Sequence, residues 1–118
     1  MYSDAVLEHF RNPRNAGDLS DATAVAEVTN PVCGDVLRLA VRLAEGHIVA
    51  SRFKAQGCVA SIASSSMLTE LLAGKTAAEA RSITAQQIAE ALEGLPAASF
   101  HAAQLCADAV DAVLRKLA

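Results

Sequence analysis

Cysteines and one aspartate are the residues of this sequence whose types and spacing best suit metal binding or thiol chemistry. Cys58 stands where a strand-like run gives way to a helical apolar pattern at Val59, and Gly57 supplies backbone freedom for the turn between them. The free N–H groups and the dipole of a helix N-terminus favour a thiolate, which binds soft metals, accepts sulfur or attacks electrophiles. The alternative is that Cys58 is a small buried residue closing the turn, because free cysteine is often buried.

A second cysteine, Cys33, lies upstream and is separated from Asp35 by a single glycine. The segments 36–44 and 47–54 are rich in apolar residues and flank a Glu-Gly turn signal, so they predict an antiparallel hairpin. Because the two strands are of similar length, we expect the hairpin to bring the thiols of Cys33 and Cys58 near each other at one end of the sheet. Asp35 taken alone is equally well explained as a turn residue.

Helix signals occur on both sides of this hairpin. Ser3 is a candidate N-cap for a short helix that ends before Pro13, and residues 23–29 predict a further strand. The helix that begins at Cys58 is expected to end at Gly74. Beyond it we predict two short helices, which begin at the capping boxes Thr76 with Glu79 and Thr84 with Gln87. We also predict a last helix over residues 99–117 with one apolar side.

Composition narrows the class of protein. The 118 residues predict one domain over residues 1–118, and a content of 53% hydrophobic but only 3% aromatic residues predicts closely packed helices with small side chains. A net charge of −3 with scattered basic residues argues against nucleic acid and against an anionic membrane surface as partners. The polar N-terminus and the absence of a long apolar run predict a cytoplasmic protein, in which three cysteines serve as free thiols or metal ligands.

Several motifs, in order along nearly the whole chain, resemble the IscU/NifU-type iron–sulfur cluster assembly scaffolds. The most specific are the Cys33-Gly34-Asp35 triplet and the Gly-Cys pair at Cys58 with its serine-rich helix start. The others are Tyr2-Ser3, the run His9-Phe10 with Asn12-Pro13-Arg14-Asn15, and Leu95-Pro96 shortly before His101.

This resemblance implies a fold and a ligand set. The fold would be α+β, with a small antiparallel sheet of about three strands packed by about five helices and a metal or cluster site at one exposed end. Carried over residue by residue, the family's ligands would be Cys33, Asp35, Cys58 and His101. His9 and His47 match no ligand position and are expected on a helix surface and in the hairpin. Two thiolates, an imidazole and a carboxylate are a complete ligand set for zinc and also suit a 2Fe-2S cluster.

The sequence departs from the family at two places. The third cysteine of the family would directly follow the histidine, where this chain has Ala102. Cys106 lies one helical turn further on and would be a ligand only if the helix shifted, so we interpret it as a core residue. Residues 95–99 read Leu-Pro-Ala-Ala-Ser where the family's chaperone-binding segment reads Leu-Pro-Pro-Val-Lys, which weighs against Hsp70- and J-type chaperones as partners.

Three functions are consistent with these residues. The favoured one is a scaffold, not an enzyme, that receives sulfur from a cysteine desulfurase, binds iron, builds a 2Fe-2S-type cluster and transfers it to apo iron–sulfur proteins. The second is a zinc protein of the same fold, acting in sulfur transfer or as a structural or interaction module. The third is a thiol enzyme with Cys58 as nucleophile and His101 as base, ranked last because the sequence has no oxyanion motif.

Overall fold

The structure, a computed structural model, describes residues 1–31 and 33–117. Within them the chain forms three strands, five α-helices and one short 3-10 turn. In chain order the elements are α1 (Asp4–Arg11), β1 (Ala24–Thr29), β2 (Val36–Ala44), β3 (His47–Gln56), α2 (Val59–Leu72), α3 (Ala77–Arg81), α4 (Ala85–Ala91), the 3-10 turn (Ala97–Ser99) and α5 (Phe100–Arg115). The α+β architecture predicted from the sequence is confirmed.

The sheet is antiparallel in the order β1-β2-β3. Glu45 and Gly46 connect β2 to β3 with φ of 53° and 80°, the conformation that a tight hairpin turn with the twist of the strands requires. The register pairs Val36 with Gln56. Consequently the loop that enters β2 and the loop that leaves β3 lie at the same end of the sheet, as the hairpin prediction requires.

Helices α2 and α5 pack against each other and against the sheet, α2 on β3 and α5 on β1 and β2. The expected apolar side of α5 is buried from Leu105 to Leu114, while Leu117 is only partly buried. Four serines and a threonine of α2 are also buried, and they let neighbouring backbones approach closely: Ser61, Ser64, Ser65, Ser66 and Thr69.

The helix caps predicted from the local sequence are present in the structure. Ser3 accepts a hydrogen bond from the backbone N–H of Val6 and caps α1. Both capping boxes are formed, at Thr76 and at Thr84, and open α3 and α4. Gly74 has a φ of +78° just after the end of α2, a conformation that glycine adopts at little cost.

One prediction about α1 is wrong. His9 is not a helix-surface residue, because α1 packs on α2 and leaves His9 6% exposed while Phe10 is 37% exposed. The His9 imidazole makes a 2.7 Å hydrogen bond between Nδ1 and Ser66 Oγ and a 3.1 Å contact between Nε2 and Glu70 Oε1. His47, by contrast, is exposed in the hairpin as expected.

None of the helices in residues 1–31 and 33–117 combines the length and apolar character needed to cross a membrane.

Candidate metal site

The candidate ligands lie at the end of the sheet where β2 begins and β3 ends. Asp35 immediately precedes β2, and Cys58 is the N-cap residue of α2, two residues after β3. His101 is in the first turn of α5, which packs across the same sheet. Three separate elements therefore each supply one side chain to this point, and none of the three positions depends on a long flexible loop.

Asp35, Cys58 and His101 form a group whose ligand atoms all lie within 4.8 Å of one another. His101 Nε2 and Asp35 Oδ2 lie 3.2 Å apart. A tetrahedral metal with bonds of about 2.0–2.3 Å holds its ligand atoms about 3.3–3.8 Å apart. The group is thus close to the spacing that one metal ion needs, and a small contraction around the ion would complete it.

The imidazole of His101 is oriented for metal binding. Its Nδ1 lies 3.1 Å from the backbone carbonyl oxygen of Ala98, to which it donates a hydrogen bond. In the neutral ring that donation leaves the lone pair on Nε2, the nitrogen that faces Asp35. A backbone carbonyl on the other ring nitrogen is a common way of fixing the tautomer of a histidine ligand. The side chain is 28% exposed, so the site is accessible from solvent.

The carboxylate of Asp35 is buried, with the residue only 4% exposed. Its Oδ2 accepts a 2.6 Å hydrogen bond from Ser61 Oγ. On the other side it lies against Gly57, where a Cβ atom would come within 2.5 Å of Asp35 Oδ1. Burying a carboxylate is costly unless hydrogen bonds and charges compensate it, and here the Ser61 hydroxyl and the adjoining N-terminus of α2 do so. A turn residue would not need these partners.

Cys33 lies apart from the other candidate ligands. It is exposed in the turn that precedes β2, and its backbone N–H donates a 3.3 Å hydrogen bond to Asn30 Oδ1. Among the described residues it is not a member of the group formed by Asp35, Cys58 and His101. Gly34, with a φ of +75°, is the one residue between Cys33 and Asp35, so a change in this turn would be enough to move the thiol.

Cys106 is buried in the core at 1% exposure. Its Sγ lies 3.8 Å from Ser65 Oγ, and burial raises the pKa of its thiol to about 12. A thiol with such a pKa stays protonated at neutral pH, whereas a metal needs the thiolate. Ala102, at the family's third cysteine position, is also 1% exposed. These features favour the interpretation of Cys106 as a core residue.

Two contributors to the site did not emerge from the sequence. Gly57 was interpreted as a turn residue, but its lack of a side chain is also needed because the Asp35 carboxylate lies against it. Ser61 was not singled out at all, although its hydroxyl reaches both Asp35 and Cys58. Its one local signal is its position three residues after the N-cap, which in a helix lies on the same side as the N-cap residue.

This fold and this group define a small α+β protein in which a histidine, a carboxylate and a thiol side chain meet at one end of the sheet. Residues 1–117 match the family described as "NifU-like N terminal domain", and the chain belongs to that family. The family assignment made from the motifs is confirmed.

The curated relatives that the chain resembles are scaffold proteins. It is 48% identical over 110 residues to "Iron-sulfur cluster assembly scaffold protein IscU 1" of Archaeoglobus fulgidus, covering 93% of this chain and 72% of the relative. It is 43% identical over 118 residues to the IscU scaffold protein of Azotobacter vinelandii, covering 97% of this chain and 91% of the relative.

A solved structure supports the fold. The chain superposes with a TM-score of 0.74 on the crystal structure of FiSufU from Fervidobacterium islandicum AW-1. The alignment covers 96% of each chain at 22% identity. At that identity the comparison bears on the fold alone.

Proposed function

We propose that this protein is a scaffold that builds a transient iron–sulfur cluster and passes it to apo iron–sulfur proteins. The observation that carries the proposal is the convergence of Asp35, Cys58 and His101 within 4.8 Å. The names of the relatives, which are scaffold proteins of iron–sulfur cluster assembly, support it. In this role the protein is a carrier, and the cluster is its cargo.

Each proposed ligand contributes a different property to the site. The thiolate of Cys58 forms the most covalent bond to iron or zinc, and the imidazole of His101 adds a neutral nitrogen. Asp35 adds a hard oxygen that holds iron less covalently, which suits a cluster that has to leave. Cys33 would complete the set as the exposed thiol, reaching the group by a change in its turn. Ligand sets that mix nitrogen or oxygen with sulfur are known for 2Fe-2S clusters.

The proposed partners follow from the cargo. A cysteine desulfurase would supply the sulfur, and apo iron–sulfur proteins would receive the cluster. The exposed Cys33 and the 28% exposure of the His101 side chain give both kinds of partner access to the site. The segment at 95–99 lacks the family's chaperone-binding pattern, so we propose that release does not depend on Hsp70- and J-type chaperones.

Zinc binding is the second candidate function. The 3.2 Å separation of His101 Nε2 and Asp35 Oδ2 is close to the spacing of two ligand atoms on a single tetrahedral ion. In this alternative the ion would order the end of the sheet or serve in sulfur transfer. Because metal affinity and folding are linked, such an ion would also raise the stability of the protein.

Anaerobic reconstitution separates the candidates. The protein is incubated with ferrous iron, cysteine, a cysteine desulfurase and a thiol reductant that converts the persulfide sulfur to sulfide, and its iron and sulfide contents and its absorption and Mössbauer spectra are measured. For a scaffold we expect a 2Fe-2S-type spectrum, and transfer of that cluster to an apo-ferredoxin. Protein that takes up no sulfide but retains zinc through dialysis would contradict the scaffold and support the zinc alternative. Rapid alkylation of Cys58 alone, with a pH profile set by His101, would instead favour a thiol enzyme.

A further inference from the structure

Ser61 connects two of the candidate ligands. Its Oγ lies 2.6 Å from Asp35 Oδ2 and 3.4 Å from Cys58 Sγ, and the residue is 3% exposed. A serine hydroxyl has one hydrogen to donate and two lone pairs, whereas an ionised carboxylate only accepts. The short distance therefore assigns the hydroxyl hydrogen to Asp35, and leaves a lone pair of Ser61 Oγ facing the sulfur of Cys58.

Gly57 and Ser61 hold the carboxylate from two sides. A Cβ at position 57 would come within 2.8 Å of Asp35 Cγ and 3.0 Å of Ser61 Oγ, so the carboxylate lies between bare backbone and the hydroxyl. His101 Nε2 meets the same Oδ2 atom that Ser61 binds. With one lone pair of Oδ2 taken by Ser61, the other remains for a metal, and the orientation of the carboxylate is fixed before the metal arrives.

The other buried serines of α2 have different partners. Ser65 Oγ donates to the carbonyl oxygen of Ser61 and contacts Cys106, and Ser66 Oγ contacts His9. Ser64 Oγ has no hydrogen-bond partner among the described residues. Within residues 1–31 and 33–117, the hydroxyl of Ser61 contacts Asp35 and Cys58, whereas the hydroxyl of Ser65 reaches Cys106 in the core. Ser65 therefore provides a matched control.

We propose that Ser61 is a positioning residue of the metal site, which sets metal affinity by holding the Asp35 carboxylate in its ligating orientation. The inference rests on the proposed function, because it concerns the same site. A positioning role differs from a purely structural role in one testable way: the change in metal affinity on removing the Ser61 hydroxyl must depend on the presence of Asp35. Residues that orient metal ligands typically change affinity by about 10- to 100-fold when mutated.

The test measures the affinity of the metal-free protein for Zn²⁺ by competition with a chromophoric chelator. We expect Ser61→Ala to bind Zn²⁺ about 10- to 100-fold more weakly than wild type. Ser65→Ala, which removes a buried hydroxyl from the same helix, should bind like wild type. In an Asp35→Ala background, adding Ser61→Ala should change the affinity less than about twofold, since its effect passes through Asp35.

Three outcomes would overturn the inference. The first is a Ser61→Ala affinity equal to that of wild type. The second is an equal loss in the presence and absence of Asp35, which would assign the effect to Cys58 or to the fold. The third is an equal loss in Ser61→Ala and Ser65→Ala. Ser61→Thr keeps the hydroxyl and should recover most of the affinity. If its added methyl group prevents folding, the double-mutant cycle of Ser61→Ala and Asp35→Ala tests the inference without it.

Failure of the proposed function has a different signature. If wild-type protein binds neither Zn²⁺ nor a reconstituted cluster, the site itself is not a metal site. If wild type binds both, and Ser61→Ala matches it, only the positioning role of Ser61 is refuted. Thermal unfolding of each metal-free variant, together with the Co²⁺ charge-transfer band that reports the Cys58 thiolate, verifies that the fold and the thiolate ligand are intact.

Discussion

His101 and His9 each lie beside a carboxylate, but His9 contacts Ser66 of α2 directly, whereas His101 is joined to Ser61 of α2 through Asp35. At the site the imidazole of His101 is 28% exposed and the carboxylate of Asp35 is 6% exposed. In the other pair the order is reversed, with the His9 side chain at 7% and the Glu70 side chain at 46%. The buried partner is the carboxylate in one pair and the imidazole in the other.

The contacts of the ring nitrogens indicate the role of each histidine. Both nitrogens of His9 have protein partners, since Nδ1 contacts Ser66 Oγ and Nε2 contacts Glu70. Ser66 Oγ also accepts a 2.8 Å hydrogen bond from the backbone N–H of Arg14, so the network ties α1 and its following loop to α2. In His101, Nδ1 contacts the backbone carbonyl of Ala98 and Nε2 lies 3.2 Å from Asp35 Oδ2, so the difference from His9 lies in the exposure of the ring and in the nearby thiol of Cys58. A satisfied, buried imidazole stabilises the fold, whereas an accessible one beside soft and hard ligands can bind a metal.

The largest expected effect comes from the thiols. Cys58→Ala and Cys33→Ala should each reduce iron and sulfide after reconstitution to the level of a protein-free blank, because too few soft ligands remain to hold iron against water. The measurement is the iron and sulfide content of the desalted protein. His9→Phe, which changes the other histidine pair, is the control and should retain its cluster. A Cys33→Ala protein with wild-type content would remove Cys33 from the ligand set.

The two histidines should separate stability from binding. His9→Ala removes a buried side chain and leaves Ser66 with one partner fewer, so we expect a loss of about 2–3 kcal/mol in the free energy of unfolding. Its zinc affinity should not change. His101→Ala should do the opposite, with binding lost and stability nearly unchanged. Urea denaturation of the metal-free proteins and zinc titration give both quantities, and equal stability losses in the two variants would break the comparison.

Asp35 should affect the lifetime of the cluster more than its assembly. Its oxygen exchanges with incoming ligands more readily than a thiolate does, so we expect Asp35→Ala to slow cluster loss to an apo-acceptor by about tenfold, equivalent to about 1.4 kcal/mol. The bleaching rate of the visible absorption, with and without acceptor, measures the change. Faster loss from Asp35→Ala than from wild type would contradict this role.

Cys106 tests the difference between a core thiol and a site thiol. Because it is buried and its pKa is raised to about 12, Cys106→Ala should leave cluster content unchanged. It should cost only about 1 kcal/mol of stability, the loss of a small packed side chain. Cluster content and urea denaturation are measured on the same preparation. Loss of the cluster with little loss of stability would show that Cys106 is a ligand.

Local signals explain what the sequence could predict. The hairpin followed from the apolar segments around Glu45-Gly46, and the helix starts followed from caps such as Thr76 and Thr84, because each of these features is encoded within a few residues. The start of α2 at Cys58 followed in the same way. The full set of candidate ligands came from the resemblance of the motifs to a known family, which required no knowledge of packing.

Packing between distant segments explains what the sequence could not predict. The burial of His9 depends on α1 lying against α2, and Ser66, its partner, is 57 positions away in the chain. The contact of Ser61 with Asp35 spans 26 positions and needs the hairpin register and the start of α2 at once. Cys33, in the turn before β2, is not a member of the group formed by the other candidate ligands in the described residues. None of these features has a pattern within a local window.

The smallest expected effect is a change of the free energy of unfolding with pH that is caused by His9. Burial is the main cause that lowers the pKa of His9 below 6.5, the positive charge of Arg14 lowers it further, and Glu70 and Glu8 oppose the shift. The folded state therefore keeps the neutral ring, while the unfolded chain binds a proton as the pH falls through about 6.5. The stabilisation due to neutral His9 is complete above that pH and is lost as the pH falls toward the lower folded pKa.

The check is the free energy of unfolding of the metal-free protein, measured between pH 8 and pH 5 for wild type and for His9→Phe. His47 and His101 are present in both proteins, so the difference between the two curves isolates His9. We expect wild type to lose stability relative to His9→Phe as the pH is lowered, because only wild type has a neutral buried imidazole to protonate. Curves that stay parallel over this range would mean that His9 binds a proton equally well in both states, and the contrast with His101 would then rest on geometry alone.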